Sequence, residues 1–196
     1  MIRAGFTFNN PLTESHWLVV ESDAEAAGMG WTLEVRYLPG ANPDILEHRH
    51  LTWTETFKIV SGVALYKVGG VQQTAVTGDT IVMAPGQPHI HPWNAGDSEL
   101  IYHQVTRFAQ ANATAVQEVI GVFATLFGLA GEGKVGRQGL PKNPLQFVAT
   151  ARALAKYDSY DVRFPIPMQK LLAVTLGRVA EALGYKSVYP EYVCVK

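Results

Sequence analysis

The feature that most constrains this chain is a series of short strands, separated by turn residues, between residues 16 and 107. In the segment Trp31–Tyr37, apolar side chains alternate with Thr32, Glu34 and Arg36, which is typical of a half-buried antiparallel strand. Turn signals then recur at Ser61-Gly62, Gly69-Gly70, Thr77-Gly78-Asp79 and Asn94-Ala95-Gly96-Asp97. Many short strands with regular turns predict a β-sandwich or a small barrel.

A different pattern begins at Ala109, where the strands stop. Apolar residues between Val116 and Phe127 recur at helical spacing. Asn143 and Pro144 open a second helix as cap and first-turn residue, and a third runs from Pro165 to a stop at Gly184. The pattern predicts a barrel over residues 1–108 and an all-helical extension over residues 109–196, which covers a barrel mouth or edge or builds a dimer.

The composition narrows the class of protein. Hydrophobic residues make up 47% and charged residues 17% of the chain, with a net charge of −1, which is typical of a globular protein without an electrostatic footprint for nucleic acid. The single cysteine, Cys194, excludes a disulfide framework within one chain. The first residues lack a signal peptide, and charged residues such as Lys170 interrupt the longest apolar candidate for a membrane span. We therefore expect a soluble cytoplasmic protein.

The segment Glu47–Glu55 carries the chemistry. His48 and His50 share one face of an extended strand, because side chains alternate with a period of two. Glu55 follows five residues after His50, which is far enough for the chain to turn back toward both imidazoles. Imidazole and carboxylate together suit one divalent ion of Fe, Mn, Ni, Co or Zn.

Residues 40–94 resemble the cupin superfamily. The first motif of that family corresponds to His48, His50, Glu55 and Gly62; the second corresponds to Gly78, the corner Ala84-Pro85-Gly86, His89 and Asn94. The resemblance implies a double-stranded β-helix, or jelly-roll barrel, with one metal ion bound by His48, His50, Glu55 and His89. The chain departs from the usual cupin motifs at three positions. Gly40 lies further from His48 than in the usual pattern, Ala84 stands where proline is frequent, and Asn94 comes one residue late. None of these departures removes a ligand.

More specifically, the chain resembles single-domain bacterial cupins with a helical C-terminal extension. The matching segments are Asn10–Thr13, Glu47–His50, Gly139–Gln146, Leu183–Tyr185 and Tyr189–Tyr192. This resemblance implies a fold over nearly the full length and no particular reaction.

His91 and His103 are the candidates for acid–base chemistry. His91 shares the face of His89 by alternation, whereas His103 lies mid-strand, where either face is open. Each is either a hydrogen-bonded core or rim histidine or a base or proton shuttle near the metal. The alternation also predicts that four apolar residues face the barrel interior and line an apolar pocket: Trp31, Tyr37, Phe57 and Ile59.

The leading hypothesis is a metal-dependent enzyme, of dioxygenase or of isomerase or cyclase type, acting on a small apolar organic molecule. The alternative is a non-catalytic cupin that binds or senses a small molecule. A sugar-phosphate isomerase is disfavoured, because Arg36, Lys58 and Arg49 all alternate away from the ligand face. We expect a small-molecule substrate or ligand, a homodimer, no membrane span, and no nucleic-acid partner, since no helix-turn-helix signal is present.

Overall fold

The computed structural model describes residues 1–193, so the prediction that concerns Cys194 lies outside the described residues. The β part comprises β1 (Thr7–Asn10), β2 (Ser15–Glu21), β3 (Gly30–Tyr37), β4 (His48–His50), β5 (Trp53–Ser61), β6 (Val63–Val68), β7 (Val71–Val76), β8 (Thr80–Met83), β9 (His89–Asn94) and β10 (Leu100–Phe108). The rest comprises α1 (Ala113–Gly131), α2 (Pro144–Lys156), β11 (Ser159–Asp161), α3 (Ile166–Val174), α4 (Leu176–Ala182) and α5 (Pro190–Val193).

Two antiparallel sheets enclose the core. One has the strand order β1-β2-β3-β10-β5-β8 and the other β11-β4-β9-β6-β7. Strands β3, β5 and β10 bury every second side chain, so that Trp31, Phe57 and Tyr102 point inward between the sheets. This arrangement confirms the predicted mainly-β fold followed by C-terminal helices.

Asparagine side chains cap the first two helices, and the cap of the second helix is the predicted Asn143. The Asn112 side chain accepts a hydrogen bond from the backbone N–H of Ala115 at the start of α1, and Asn143 accepts one from Leu145 at the start of α2. The single third helix expected from Pro165 to Gly184 is broken in two at Thr175, whose hydroxyl donates to the Leu171 carbonyl. This bond competes with the helical ladder and bends the backbone.

The extension also contributes a strand, which corrects the all-helical expectation. β11 pairs antiparallel with β4, placing Ser159 opposite His50 and Asp161 opposite His48. Backbone hydrogen bonds flank the pairing: Leu51 donates to Asp158 at 3.0 Å. The extension thus closes the edge of the strand that carries the first two candidate ligands, as edge coverage requires.

Helix α1 is long and apolar enough to be a candidate for crossing a bilayer. Its 19 residues have a mean hydropathy of 1.6, so by length and composition alone it passes that test. In the structure, 61% of the apolar window is buried, and Phe127 packs against Phe8 and Trp17. A core helix of a globular domain has the same composition.

Candidate metal centre and adjoining cavity

The imidazoles of His48 and His50 are fixed by backbone carbonyls. Nδ1 of His48 donates to the carbonyl of Leu46 at 2.9 Å, and Nδ1 of His50 donates to that of Trp53 at 2.9 Å. Because a carbonyl oxygen can only accept, the proton of each neutral ring lies on Nδ1. Each Nε2 therefore carries a free lone pair, which is how a histidine is prepared for a metal ion.

His89 is held in the same way on the neighbouring strand. Its Nδ1 donates to the carbonyl of Gln87 at 2.7 Å, and it lies opposite His48 in the pairing of β4 with β9. The Nε2 of His89 is buried without a hydrogen-bond partner among the described residues, although it lies 3.3 Å from Oε2 of Glu55. A buried polar atom of this kind calls for a partner that the protein itself does not supply.

Glu55 sits at the centre of the cluster and is held from one side. Its Oε1 accepts from Gln104 Nε2 at 2.8 Å and from the Thr106 hydroxyl at 3.3 Å. Its Oε2 is thereby turned toward the imidazoles, 2.9 Å from the Nε2 of His50 and 2.9 Å from the Nε2 of His91. Gln104 and Thr106 were not predicted as site residues, because both faces of β10 mix polar and apolar side chains and the sequence contains no signal for the inner one.

The donor set fits a divalent metal ion. Donor atoms about 2.1 Å from an ion and at right angles to each other lie roughly 3 Å apart, which matches the 2.9 Å between His50 Nε2 and Glu55 Oε2. Since the His50 proton is on Nδ1, that contact places two lone pairs face to face, and a cation between them removes the repulsion. The candidate ligand atoms of His48, Glu55, His89 and His91 all lie within 4.8 Å of one another.

The protonation states also suit a metal. Burial, reinforced by the neighbouring histidines, holds the pKa of His48 well below its usual value. Burial likewise lowers the pKa of His91, against the opposing attraction of Glu55. Burial alone would raise the pKa of Glu55, but the surrounding imidazoles outweigh it and hold that pKa well below its ordinary value. Neutral imidazoles around an ionised carboxylate are the forms that bind metal.

His91, predicted as a base or a core histidine, belongs to this cluster. The pairing of β6 with β9 shifts by one residue between Leu65 and Lys67, so β9 contains one extra residue. This bulge lies just after His91 and explains why Asn94 comes late in the motif. Asn94 remains buried and donates to the carbonyls of Tyr37 and Ser98.

His103 is not brought to the cluster. On β10 the buried side chains are those of Tyr102, Gln104 and Thr106, so His103 points to the opposite face, where its Nε2 lies 3.4 Å from Glu34 Oε2. Its side chain is 39% exposed. The predicted role of His103 as a base near the metal is therefore wrong, and Gln104 is the residue that points toward the cluster.

The four residues predicted to line a pocket are buried in the barrel: Trp31, Tyr37, Phe57 and Ile59. Phe57 lies 4.9 Å from the ring of His91 and so borders the cluster. None of the four lines the cavity described next. The three aromatic residues among them pack against other rings of the core, as Tyr37 does against Tyr102 at 6.3 Å.

A cavity of about 230 Å³ lies between the barrel and the extension, and we call it the helix–barrel cavity. Its walls come from α1, α2, α3 and the segment before β4, with apolar side chains such as Phe123, Phe147 and Leu172. Its charged lining residues are Asp44, Glu47 and Asp161, all acidic. His48 lines the cavity and belongs to the metal cluster, and it is the one partly exposed member of the set that it forms with Glu55, His89 and His91.

Asp44 anchors the segment that leads into β4. Its buried carboxylate accepts hydrogen bonds from five uncharged side chains: Asn10, Thr13, Ser15, Trp17 and Tyr37. Burial and the nearby Asp44 charge raise the pKa of Tyr37 well above its usual value, which keeps it a donor. Two residues further on, the Leu46 carbonyl orients His48, so this network fixes the approach to the cluster.

Residues 33–106 match the family model described as "Cupin domain". Among solved structures, the chain is 26% identical to an uncharacterized conserved protein with a double-stranded β-helix domain from Klebsiella pneumoniae, with a TM-score of 0.41 over 48% of this chain and 77% of that one. A predicted oxalate decarboxylase from Thermotoga maritima is 18% identical, with a TM-score of 0.46 over 55% of this chain and 93% of that one.

A sugar phosphate isomerase of the cupin superfamily from Silicibacter pomeroyi is 19% identical, with a TM-score of 0.41 over 55% of this chain and 70% of that one. No protein of curated function that was compared with the chain matches it significantly.

Proposed function

Because this chain belongs to the cupin superfamily through residues 33–106, we propose that it holds one divalent metal ion through His48, His50, Glu55 and His89. The proposal is supported by the buried Nε2 of His89, which has no partner, and by the Nε2 and Oε2 lone pairs that face each other at 2.9 Å between His50 and Glu55. Imidazole-rich sets with one carboxylate suit Fe, Mn, Co, Ni and Zn.

We propose further that the site is enzymatic and of dioxygenase or of isomerase or cyclase type. A bound ion would supply a Lewis acid or a redox centre at this point of the barrel. The chain's own residues hold and orient: Gln104 and Thr106 fix Glu55, and the Leu46, Trp53 and Gln87 carbonyls fix the three imidazoles. The buried aromatic side chains around them exclude water.

The substrate we propose is a small, largely apolar molecule held in the helix–barrel cavity. The single observation that carries this proposal is the placement of His48, which is shared by the metal cluster and the cavity wall. A molecule in the cavity therefore contacts a ligand of the metal. Among residues 1–193, the lining contains acidic side chains and no lysine or arginine, which argues against a phosphorylated sugar.

The test measures binding first. N-phenyl-1-naphthylamine, an uncharged apolar fluorophore, is titrated against the wild type, an Ala151→Trp variant that fills the cavity, and an Ala111→Trp control at an exposed alanine outside the lining. We expect Ala151→Trp to weaken binding by about tenfold or more, since the probe and the indole compete for one volume, with no change at Ala111→Trp. Equal binding by all three proteins would contradict the proposed pocket.

Turnover is measured next. The protein is loaded with each candidate metal and incubated with small apolar ketones, alcohols and aromatics, with and without dioxygen, and products are followed by mass spectrometry. We expect metal-dependent conversion that His89→Ala and Ala151→Trp both abolish. Conversion that survives His89→Ala would contradict a reaction at this centre.

The alternative function is a non-catalytic cupin that binds or senses a small molecule. The seclusion of the donors favours it, since His50 and His89 are 0% exposed and Glu55 is 3% exposed. Binding of the probe with no conversion of any candidate by any metal-loaded form would support this alternative.

We also propose a cytoplasmic homodimer. Monomeric proteins rarely expose large contiguous apolar patches. The support for a dimer is a set of exposed apolar side chains on α3, on α4 and at the residue after α4: Leu171, Val174, Leu176, Val179 and Leu183. Sedimentation velocity is expected to give a dimer for the wild type and a monomer for Leu171→Glu combined with Val179→Glu. A monomeric wild type would contradict the dimer.

A further inference from the structure

Strand β9 places an additional imidazole, that of His91, on the inner face of the barrel. Strand β9 buries His89, His91, Pro92 and Asn94, a pattern that simple alternation cannot produce. The extra residue allows His91 and Asn94 to be buried together, and Pro92, which has no N–H to donate, suits a bulged position. His91 is 4% exposed.

His91 is aimed at the same centre as His89. The two rings are parallel within 4°, with centroids 5.6 Å apart. Nε2 of His91 lies 2.9 Å from Oε2 of Glu55, the same distance as Nε2 of His50 from that oxygen. Phe57 on one side, at 4.9 Å, and His48 on the other, at 5.0 Å, hold the ring in this position.

From this geometry we propose that His91 is a fifth protein donor to the metal ion, beside His48, His50, Glu55 and His89. The proposal rests on the proposed metal function of the cluster and goes beyond the four-residue set. His91 belongs, with His48, Glu55 and His89, to the group whose donor atoms all lie within 4.8 Å of one another, and His50 adjoins this group through its Nε2, 2.9 Å from Oε2 of Glu55. The spacing to Glu55 equals the roughly 3 Å expected between two adjacent ligands of one ion.

His91 also differs from the other three histidines. His48, His50 and His89 each donate Nδ1–H to a backbone carbonyl, whereas Nδ1 of His91 is buried without a partner. The neutral ring therefore donates Nε2–H to the carboxylate of Glu55 at 2.9 Å, so a metal ion would have to displace this proton, and a metal ligand without a partner at Nδ1 is bound less tightly. His91 is the donor that an incoming molecule displaces most readily.

Two consequences follow. A fourth imidazole makes the site richer in nitrogen, so it raises the affinity for Ni²⁺ and Co²⁺ more than that for Mn²⁺, which favours oxygen ligands. Five protein donors would also leave less room for an additional ligand than four, unless His91 gave way.

The test counts nitrogen ligands directly. The full-length protein is labelled with ¹⁵N-histidine and loaded with Cu²⁺, and pulsed electron paramagnetic resonance reports the number of coupled imidazoles. We expect four in the wild type and three in His91→Phe, a substitution that preserves a planar ring beside Phe57. His103→Phe is the matched control, because it changes a histidine on the outer face and should leave four.

Metal titrations give a second test. The ratio of the Ni²⁺ and Mn²⁺ affinities would not change if His91 had only a structural role. Dissociation constants are measured for Ni²⁺ and Mn²⁺ with the wild type, His91→Phe and His91→Gln, with folding checked by circular dichroism in chelator. We expect the loss of His91 to weaken Ni²⁺ binding by about 100-fold, the upper end of the loss on removing a supporting residue, and to weaken Mn²⁺ binding much less.

The outcomes separate the two proposals. Three imidazoles in the wild type, or an unchanged Ni²⁺ to Mn²⁺ ratio in both His91 variants, would overturn the assignment of His91 and leave the four-residue metal site intact. A wild type that binds neither Ni²⁺, Mn²⁺ nor Cu²⁺ at this cluster would overturn the proposed function and this assignment together. The number of coupled imidazoles is measured on the wild type, so the test still decides the question if a variant does not fold.

Discussion

The interior of the barrel and the helix–barrel cavity are built on opposite principles. Inside the barrel, donor atoms are held by backbone carbonyls and by Gln104 and Thr106 on a strand. The cavity is walled by side chains of three helices and a loop, which are mostly apolar. The strands thus fix the positions of the metal ligands, whereas the extension determines the shape of the cavity. His48 belongs to both.

Substitution of Asp44 should have the largest effect, because Asp44 lines the cavity and also anchors the segment that leads to His48. Replacing Asp44 by alanine removes the shared acceptor of five buried or partly buried donors. We expect the free energy of unfolding to fall by about 3–5 kcal/mol, since unsatisfied buried donors are costly. Chemical denaturation measures this change.

Asp79→Ala is the matched control, because the exposed Asp79 accepts only from the backbone of Val76. It should cost less than about 1 kcal/mol. Equal losses in the two variants would mean that the Asp44 network does not hold the segment before β4.

Substitution of Gln104 tests the metal cluster inside the barrel without changing the helix–barrel cavity. Gln104→Leu removes the 2.8 Å bond to Glu55 Oε1, so Glu55 is less well oriented and metal affinity should fall by roughly 10–100-fold. Binding of N-phenyl-1-naphthylamine in the cavity should not change. His103→Leu, one residue away on the outer face, should alter neither, and a loss of metal affinity there equal to that of Gln104→Leu would break the distinction between the two faces.

The metal-free protein should lose stability in mild acid. Desolvation lowers the pKa values of His48 and His91, so below 6.5, the ordinary pKa of imidazole, the unfolded chain takes up protons that the folded chain resists. The contribution is fully present above 6.5 and declines as the pH falls below it, by up to about 1.4 kcal/mol per pH unit for each histidine.

Denaturation of the protein in chelator between pH 7.5 and 5 measures this slope. His91→Phe should reduce it. A slope that is the same in the wild type and in that variant would mean that burial of His91 does not govern its protonation.

The sequence predicted most of the barrel, because alternation along segments such as Trp31–Tyr37 reports directly on which face is buried. Motif spacing also singled out His48, His50, Glu55 and His89, which the structure brings together. Strand β11 was missed, since a three-residue strand has no period to detect and depends on pairing with distant β4.

The inner face of β10 could not be chosen from sequence either, because both of its faces mix polar and apolar residues. Gln104 and His103 are distinguished only by the register with β3 and β5. The predicted pocket residues, including Trp31 and Ile59, became core, because the cavity arises from long-range packing of the helices against the segment before β4.

The central claim is the metal site, and its most direct test is elemental analysis of protein purified without affinity metals. We expect about one divalent ion per chain in the wild type, because residues 1–193 contain one such cluster, and none in the double variant His50→Ala with His89→Ala. Full metal occupancy in a folded double variant, or no metal in the wild type after reconstitution with each candidate ion, would contradict it.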